Sequence, residues 1–267
     1  MKLPTSLGRL ARLLGAFVAR DLHARYAGSL LGLFWSILNP VLHISVLALV
    51  FSVFLGLRFG EASFVPALII GFLPWMAVQE GALRAGVAVI DHPTLLKSVR
   101  FPPMLLPLAM IAAALVHQLL ATVAVGGVLL TLGPGLTLTA ASIATYLLAL
   151  AAQIALTTGL GLVLSATAVF VRDAVQVAGA LMLAWMYATP IAWPVHLVPE
   201  RWHWILQWNP LAHVVCLQRA ALLGAAPPGG QPGFEPSLPL ALAAGAALLL
   251  SGLWCFHRLT PHLVDEL

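Results

Sequence analysis

The chain has 267 residues, 61% of them hydrophobic and only 8% charged, with a mean hydropathy of +1.00. A soluble domain carries about 25% charged residues, so this composition excludes an ordinary water-soluble enzyme or binding module and points to a polytopic membrane protein. The net charge of +4 comes from basic residues spread along the chain and densest near its start, a pattern of membrane topology rather than of a nucleic-acid surface.

Transmembrane barrels need alternating apolar and polar residues, and the long apolar runs here do not alternate. The predicted fold class is therefore all-α: six transmembrane helices, an N-terminal interfacial amphipathic helix, and a re-entrant exterior region between spans five and six. The chain reads as a single transmembrane domain over residues 1–267. Residues 1–27 hold Leu7, Leu10, Leu14, Phe17 and Val18 at helical spacing, with Arg9, Arg12, Arg20 and Arg25 between them. This is an amphipathic helix in the membrane interface, not the charged start and clean apolar core of a cleavable signal. No Asp, Glu, Lys or Arg occurs from Tyr26 through Leu57, longer than the roughly 20 apolar residues that cross a bilayer.

The first span is placed at 33–57 and the second at 64–84. A polar patch follows at 90–100, running from Asp91 to Arg100. Phe101 through Val171 carries no charge, and Gly133-Pro134-Gly135 divides it into spans at 103–132 and 137–170. Arg172-Asp173 separates the fourth span from the fifth, at 174–193. A Pro- and Trp-rich stretch at 194–236 leads to the sixth, at 237–257. Pro190, Pro194 and Pro199 are expected to break the fifth span and turn it back, which is tolerated where backbone lines a cavity. With both termini cytoplasmic, the inner segments hold Lys2, Arg9, Arg12, Arg20, Arg25, Arg84, Lys97, Arg100, Arg172 and Arg258, against Arg58, Arg201 and Arg219 outside. The positive-inside rule selects that orientation. It places Cys216 and Cys255 on opposite sides, which argues against a disulfide between them.

The chain has no G-x-x-x-x-G-K-[ST] loop, no H-E-x-x-H, no G-x-S-x-G and no Cys/His cluster, so neither ATP binding by a phosphate loop nor metal or hydrolase chemistry is expected of it. No resident cofactor or metal is implied. The long third and fourth spans offer His117, Gln118, Gln153, Tyr146 and small hydroxyl residues, too few acids and bases for an intramembrane enzyme. A coupled carrier places carboxylates at membrane depth, and Glu80 is the one candidate. Arg84 lies four residues on, so the two read either as a self-neutralising pair on one helix face or as a coupling carboxylate with its neighbour.

The spelling carries more. Arg20-Asp21…Arg25-Tyr26…Ser29-x-x-Gly32-x-x-Trp35…Asn39-Pro40 resembles the entry segment of ABC-2 type permeases, the polysaccharide exporters among them (O-antigen, teichoic acid, capsule). Thr94-Leu-Leu-Lys97-Ser-Val-Arg-Phe101-Pro102, Val171-Arg172-Asp173, Thr189-Pro190-Ile191, Trp208-Asn209-Pro210-Leu211 and Phe256-x-Arg258-x-x-Pro261…Asp265 are similar to later family motifs, in the same order. Two positions depart from the family: Ser98 follows Lys97 where a second basic residue is frequent, and Leu263 stands where an aromatic is frequent.

The resemblance implies a homodimeric permease in the bacterial inner membrane, with two separate ATPase subunits that bind ATP and Mg, and a lipid-linked polysaccharide as substrate. It implies an entrance helix with Arg20, Asp21, Arg25 and Tyr26, and a coupling segment with His92, Pro93, Leu95, Leu96 and Lys97. Sugar rings stack their C–H faces on aromatics, so Phe72, Trp75, Tyr187 and Trp193 are expected to line the conduit, with an interfacial aromatic belt as the other reading of the exterior group. Trp202 and Trp204 are expected to anchor a re-entrant gate at the interface. Gly28-x-x-x-Gly32 is expected to bend the chain from surface helix to first span. An ABC-2 exporter of a small hydrophobic compound or drug is the alternative within the same architecture.

Overall fold

Helix starts and stops in this chain are set by local chemistry that can be followed from residue to residue. The computed structural model describes residues 7–26, 32–58, 64–98, 101–132, 136, 138–224 and 234–266, and among these it contains helices and turns but no strand. Helix α1 spans Leu7–Tyr26, and α2 spans Gly32–Ala48, with Pro40 inside it and a wider π-wound segment Leu49–Phe54 continuing it. Helix α3 runs Phe64–Ala88, one turn beyond residue 84, and the short α4 covers Pro93–Ser98.

Helices α5 and α6 span Leu105–Leu132 and Ala140–Ala168. The start of α6 is a capping box: Thr139 Oγ1 accepts from the Ser142 N–H at 3.1 Å and Ser142 Oγ from the Thr139 N–H at 2.9 Å, which satisfies two orphan donors. Helix α7 covers Ala174–Tyr187; two single 3₁₀ turns, Val195–Leu197 and Glu200–Trp202, lead into α8, His203–Gln207. Helix α9 spans Pro210–Leu223, with Asn209 as N-cap, Pro210 in its first turn and Gly224 (φ 59°) as left-handed C-cap, the arrangement that helix ends favour. Helix α10 runs Leu238–Glu266.

The helix boundaries differ from the expected spans most clearly at the fifth and sixth. The fifth does not reach residue 193: α7 stops at Tyr187 because Pro190 disfavours helical backbone before it and supplies no N–H. The sixth continues past residue 257 to Glu266, with Pro261 inside it. The Gly28-x-x-x-Gly32 bend and the Gly133-Pro134-Gly135 break fall at positions 27–31 and 133–135, outside the described residues, as do positions 225–233 of the Pro/Gly-rich loop.

Helix α3 is the centre of the bundle. Two thirds of its most apolar stretch is buried (67%), against 17% for α10. Its Phe64, Ala67, Leu68, Phe72, Trp75 and Val78 pack with Ala149, Ala152 and Leu156 of α6 and with Leu211, Val214 and Val215 of α9. Helices α6 and α10 make the closest pairing: a Cβ on Gly159 would overlap the backbone of Leu248, and one on Gly252 would overlap the backbone of Gly159. Such backbone contact is how helices associate where lipid removes the hydrophobic drive between them.

Outward, large apolar side chains stay exposed on α2, α5, α6, α7 and α10, including Val46, Val123, Leu147, Leu181 and Leu250. Helices α3, α5, α6 and α10 are each long and apolar enough to cross a bilayer. The chain is a multi-pass helical membrane protein. One end of α3, near Arg84, carries α1 and α4; the other, near Ala67, carries the turn after α7 and helices α8 and α9. Seventeen residues of helix separate them, about 25 Å.

Candidate functional site

At the α1 end, two adjacent side chains of α1 reach in different directions. Arg20 Nη2 donates to His92 Nε2 at 3.3 Å, while His92 Nδ1 lies 3.0 Å from the Ala88 carbonyl. A carbonyl only accepts and a guanidinium only donates, so His92 carries its proton on Nδ1 in this arrangement. Asp21 receives Arg84: Nη1 donates to Oδ2 at 2.9 Å and Nη2 to Oδ1. Arg84 Nη1 is 3.6 Å from Glu80. The intrahelical pair expected from the sequence is thus the weaker contact, and the stronger one joins α1 to α3.

Between these polar ties lies an apolar joint. Leu14, Phe17 and Val18 of α1 pack with Leu95 and Leu96 of α4, Phe101, and Leu106 and Leu115 of α5. Phe17 sits 5.9 Å from Phe101, with the Arg20 guanidinium 5.2 Å over its ring. Pro93 opens α4, whose Lys97 is exposed. The structure therefore brings Arg20, Asp21, His92, Pro93, Leu95 and Leu96 together with Arg84 and Glu80. The side chains of Arg25 and Tyr26 lie outside the described residues.

The four aromatics expected at the conduit separate into two groups. Phe72 and Trp75 are 1% and 6% exposed, in contact with each other at 5.2 Å between centroids, and Phe72 stacks on His43 at 6.3 Å. Both side chains pack in the core of the chain. The Trp75 indole N–H has no hydrogen-bond partner among the described residues. Tyr187 is 57% exposed, and Trp193 donates from Nε1 to the Tyr187 carbonyl at 3.1 Å. With Leu47, Met186, Ile191 and Ala192 these two line a shallow groove between α2 and the end of α7. Trp202, Trp204 and Trp208 are exposed at the same end.

The sequence reading missed the polar fittings that hold this end. Asn209 Oδ1 accepts from Trp185 Nε1 at 2.8 Å and from the Leu211 N–H at 3.1 Å. Its Nδ2 donates to the Ala188 carbonyl at 3.2 Å and Thr189 Oγ1 at 3.0 Å. The Thr189 hydroxyl donates back to the Trp185 carbonyl at 2.7 Å. One amide thus caps α9 and ties it to the end of α7. Arg219, counted above as an outer-loop charge, is 1% exposed inside α9 and donates to the carbonyls of Ala67 (2.8 Å), Pro190 (3.1 Å) and Ile191 (2.9 Å).

Its neighbour Gln218 turns inward. Gln118 and Gln153 exchange amide hydrogen bonds at 3.1 and 2.6 Å, and Gln218 Nε2 donates to Gln153 Oε1 at 2.8 Å. Gln153 also donates to the Pro74 carbonyl at 3.3 Å. All three glutamines are buried, and the network joins α3, α5, α6 and α9. His213 completes the set: Nε2 faces the Gln207 carbonyl at 2.9 Å and Nδ1 accepts from the Ser237 N–H at 2.9 Å. Both nitrogens are used by the neutral ring, and burial holds the His213 pKa below its usual value near 6.5, against the raising effect of the Gln207 carbonyl.

Two signals for these fittings were present in the sequence. Asn209-Pro210 spells a cap, and Arg219 is the single charge in an apolar helical run. Their partners, the carbonyls of Ala67 and Pro190, carry no sequence signature.

This geometry, α1 clasped to the short α4 at one end of α3 and the capped α9 at the other, accompanies a match of residues 12–223 to the ABC-2 type transporter family. The chain belongs to that family. The resemblance drawn from its motifs agrees with the match, which ends at the last residue of α9. Among curated proteins, this ABC-2 chain is 27% identical over 259 residues to an O-antigen export system permease protein RfbA of Klebsiella pneumoniae, covering 97% of this chain and 96% of that protein. It is 28% identical over 252 residues to the RfbA permease of Myxococcus xanthus (94% and 93%). To the polysialic acid transport protein KpsM of Escherichia coli it is 25% identical over 218 residues (78% and 80%).

Proposed function

We propose that this ABC-2 permease moves a lipid-linked polysaccharide, O-antigen or capsule-like, across the bacterial inner membrane as a homodimer driven by two separate ATPase subunits. The observation that carries the proposal is similarity along almost the whole chain to proteins named as O-antigen export permeases. Both termini are cytoplasmic in this reading, which makes the α1 end the inner one and the α8 end the outer one.

The joint of α1, α4 and α5 then receives the ATPase. Its apolar packing transmits displacement, and Asp21–Arg84 passes it to α3. ATP and Mg belong to the partner, since this chain has no phosphate-binding loop. Tyr187 and Trp193, with accessible ring surface at the outer end, supply stacking faces for sugar rings.

Deleting the gene and complementing it tests the proposal. Surface glycan should disappear and should return only when this chain is co-expressed with its catalytically competent ATPase. The chain purified alone should hydrolyse no ATP. Unchanged surface glycan together with new drug sensitivity would replace this reading with export of a small hydrophobic compound.

A further inference from the structure

We infer that Arg219 is the latch that holds the α8 end of the protomer closed at rest, by tying the turn after α7 to the first turns of α3. The inference rests on the export reading. It concerns a residue that has no sequence motif and lies outside the expected conduit and coupling sets.

Arg219 occupies a built seat. Its Nε donates to Ala67 of α3, and its two terminal nitrogens donate to Pro190 and Ile191, beyond the end of α7. Gly71, on α3 one turn after Ala67, leaves room for the guanidinium, because an added Cβ would overlap Nη2. A glycine on one helix and an arginine on another, far apart in sequence, thus form one fitting. The planar fork of arginine suits several acceptors at fixed angles, which a lysine ammonium does not.

The segment held this way depends on polar ties. Along α7 just Ala178 and Met182 are buried, so apolar packing fixes α7 weakly. Asn209 binds the end of α7 to α9, and Arg219 carries the connection through to α3. The same turn bears Trp193, whose indole holds the Tyr187 carbonyl.

The chemistry suits a contact that opens and closes. The acceptors at Ala67, Pro190 and Ile191 are neutral backbone carbonyls, so opening these three contacts separates no ion pair at them. When an opened conduit admits water, water takes over the guanidinium donors. The cation is therefore satisfied in both arrangements, whereas an apolar side chain would favour the closed one alone.

The test is resting leak. The permease–ATPase complex is reconstituted into vesicles of phosphatidylethanolamine and phosphatidylglycerol loaded with carboxyfluorescein, without ATP or glycan. Wild type should hold the dye. R219M, which removes the fork, and G71A, which keeps the charge but displaces it, should each assemble with the ATPase and leak at least ten-fold faster. R219K should fall between.

Assembled R219M and G71A vesicles as tight as wild type would overturn the latch. So would loss of folded complex in both variants, which would make Arg219 a fold-holding residue. Failure of the wild-type complex to export glycan would instead overturn the function proposed above, and the leak assay uses no glycan.

Discussion

A guanidinium that grips both oxygens of a carboxylate makes a stronger bond than one at the edge of contact with a carboxylate one turn away. Hydrogen bonds to charged groups contribute about 1.5–3 kcal/mol, and paired donors add direction. Arg84 is therefore bound principally to Asp21, with Glu80 as the secondary partner. D21R and R84D singly should destabilise the detergent-solubilised permease and reduce export. The double swap D21R/R84D should recover much of both, with a coupling of about 1–2 kcal/mol in a double-mutant cycle, because the pair is partly exposed. Equal damage in the single and double variants would mean that the joint does not use this pair. His213 gives a prediction in pH. Its folded pKa lies below the unfolded one, so the unfolded chain takes up the proton first. Stability from the neutral ring is fully present above the unfolded value near 6.5 and is lost as pH falls through the lower folded value. Protonation also replaces the Nδ1 acceptor of the Ser237 N–H with a donor. Thermal unfolding of the permease from pH 7.5 down to 5 should show falling stability, and H213Q should flatten the slope.

At the scale of elements, glycine positions divide by what surrounds them. Gly159 and Gly252 are where α6 and α10 touch backbone to backbone, whereas nothing lies within 4 Å of a Cβ added to Gly127 on α5. G159L should abolish the folded, monodisperse protein. G127A should leave it unchanged or slightly more stable, by up to about 1 kcal/mol from helix propensity; fluorescence-detected size-exclusion chromatography separates the outcomes. These elements also show what the sequence discloses. Helix existence was legible because charges and Gly/Pro breaks punctuate the apolar runs, as at Arg172-Asp173, and helix polarity in α1 was legible from the spacing of Leu14, Phe17 and Val18. The break after α7 was legible in Pro190, Pro194 and Pro199, but its placement at Tyr187 was not, since the apolar run continues past that residue and Asn209 reaches it from α9. Phe72 and Trp75 were expected at the conduit because sugar rings stack on aromatics, and their burial at 1% and 6% exposure had no signal in the sequence, since an aromatic residue is spelled the same in a core and along a conduit. Arg219 counted as a loop charge because no local pattern announces backbone carbonyls arriving from α3 and α7.

The shape of the whole molecule bears on where a second copy would sit. Helix α7 has 14 residues, about 21 Å, against a hydrocarbon core of about 30 Å. Irregular backbone follows it from Ala188 to Pro194. At membrane depth, irregular backbone is tolerated where protein or a water-filled cavity covers it, not where lipid does. Arg219 and Asn209 satisfy part of this segment from within, and Tyr187 and Leu181 remain outward at 57% and 64% exposure. The α7 face is thus a poor lipid surface and a suitable one for the partner copy or the conduit between the two. Helix α5 is the contrast: regular, 28 residues long, and outward at Val123 with 74% exposure, it meets the requirements of a lipid-facing helix. With Cys216 and Cys255 replaced by serine to give a cysteine-free background, L181C and Y187C should form cross-linked dimers in native membranes with a short bifunctional thiol reagent, and V123C should stay monomeric. Cross-linking at Val123 without any at Leu181 or Tyr187 would move the interface to α5 and leave the shortness of α7 without this explanation.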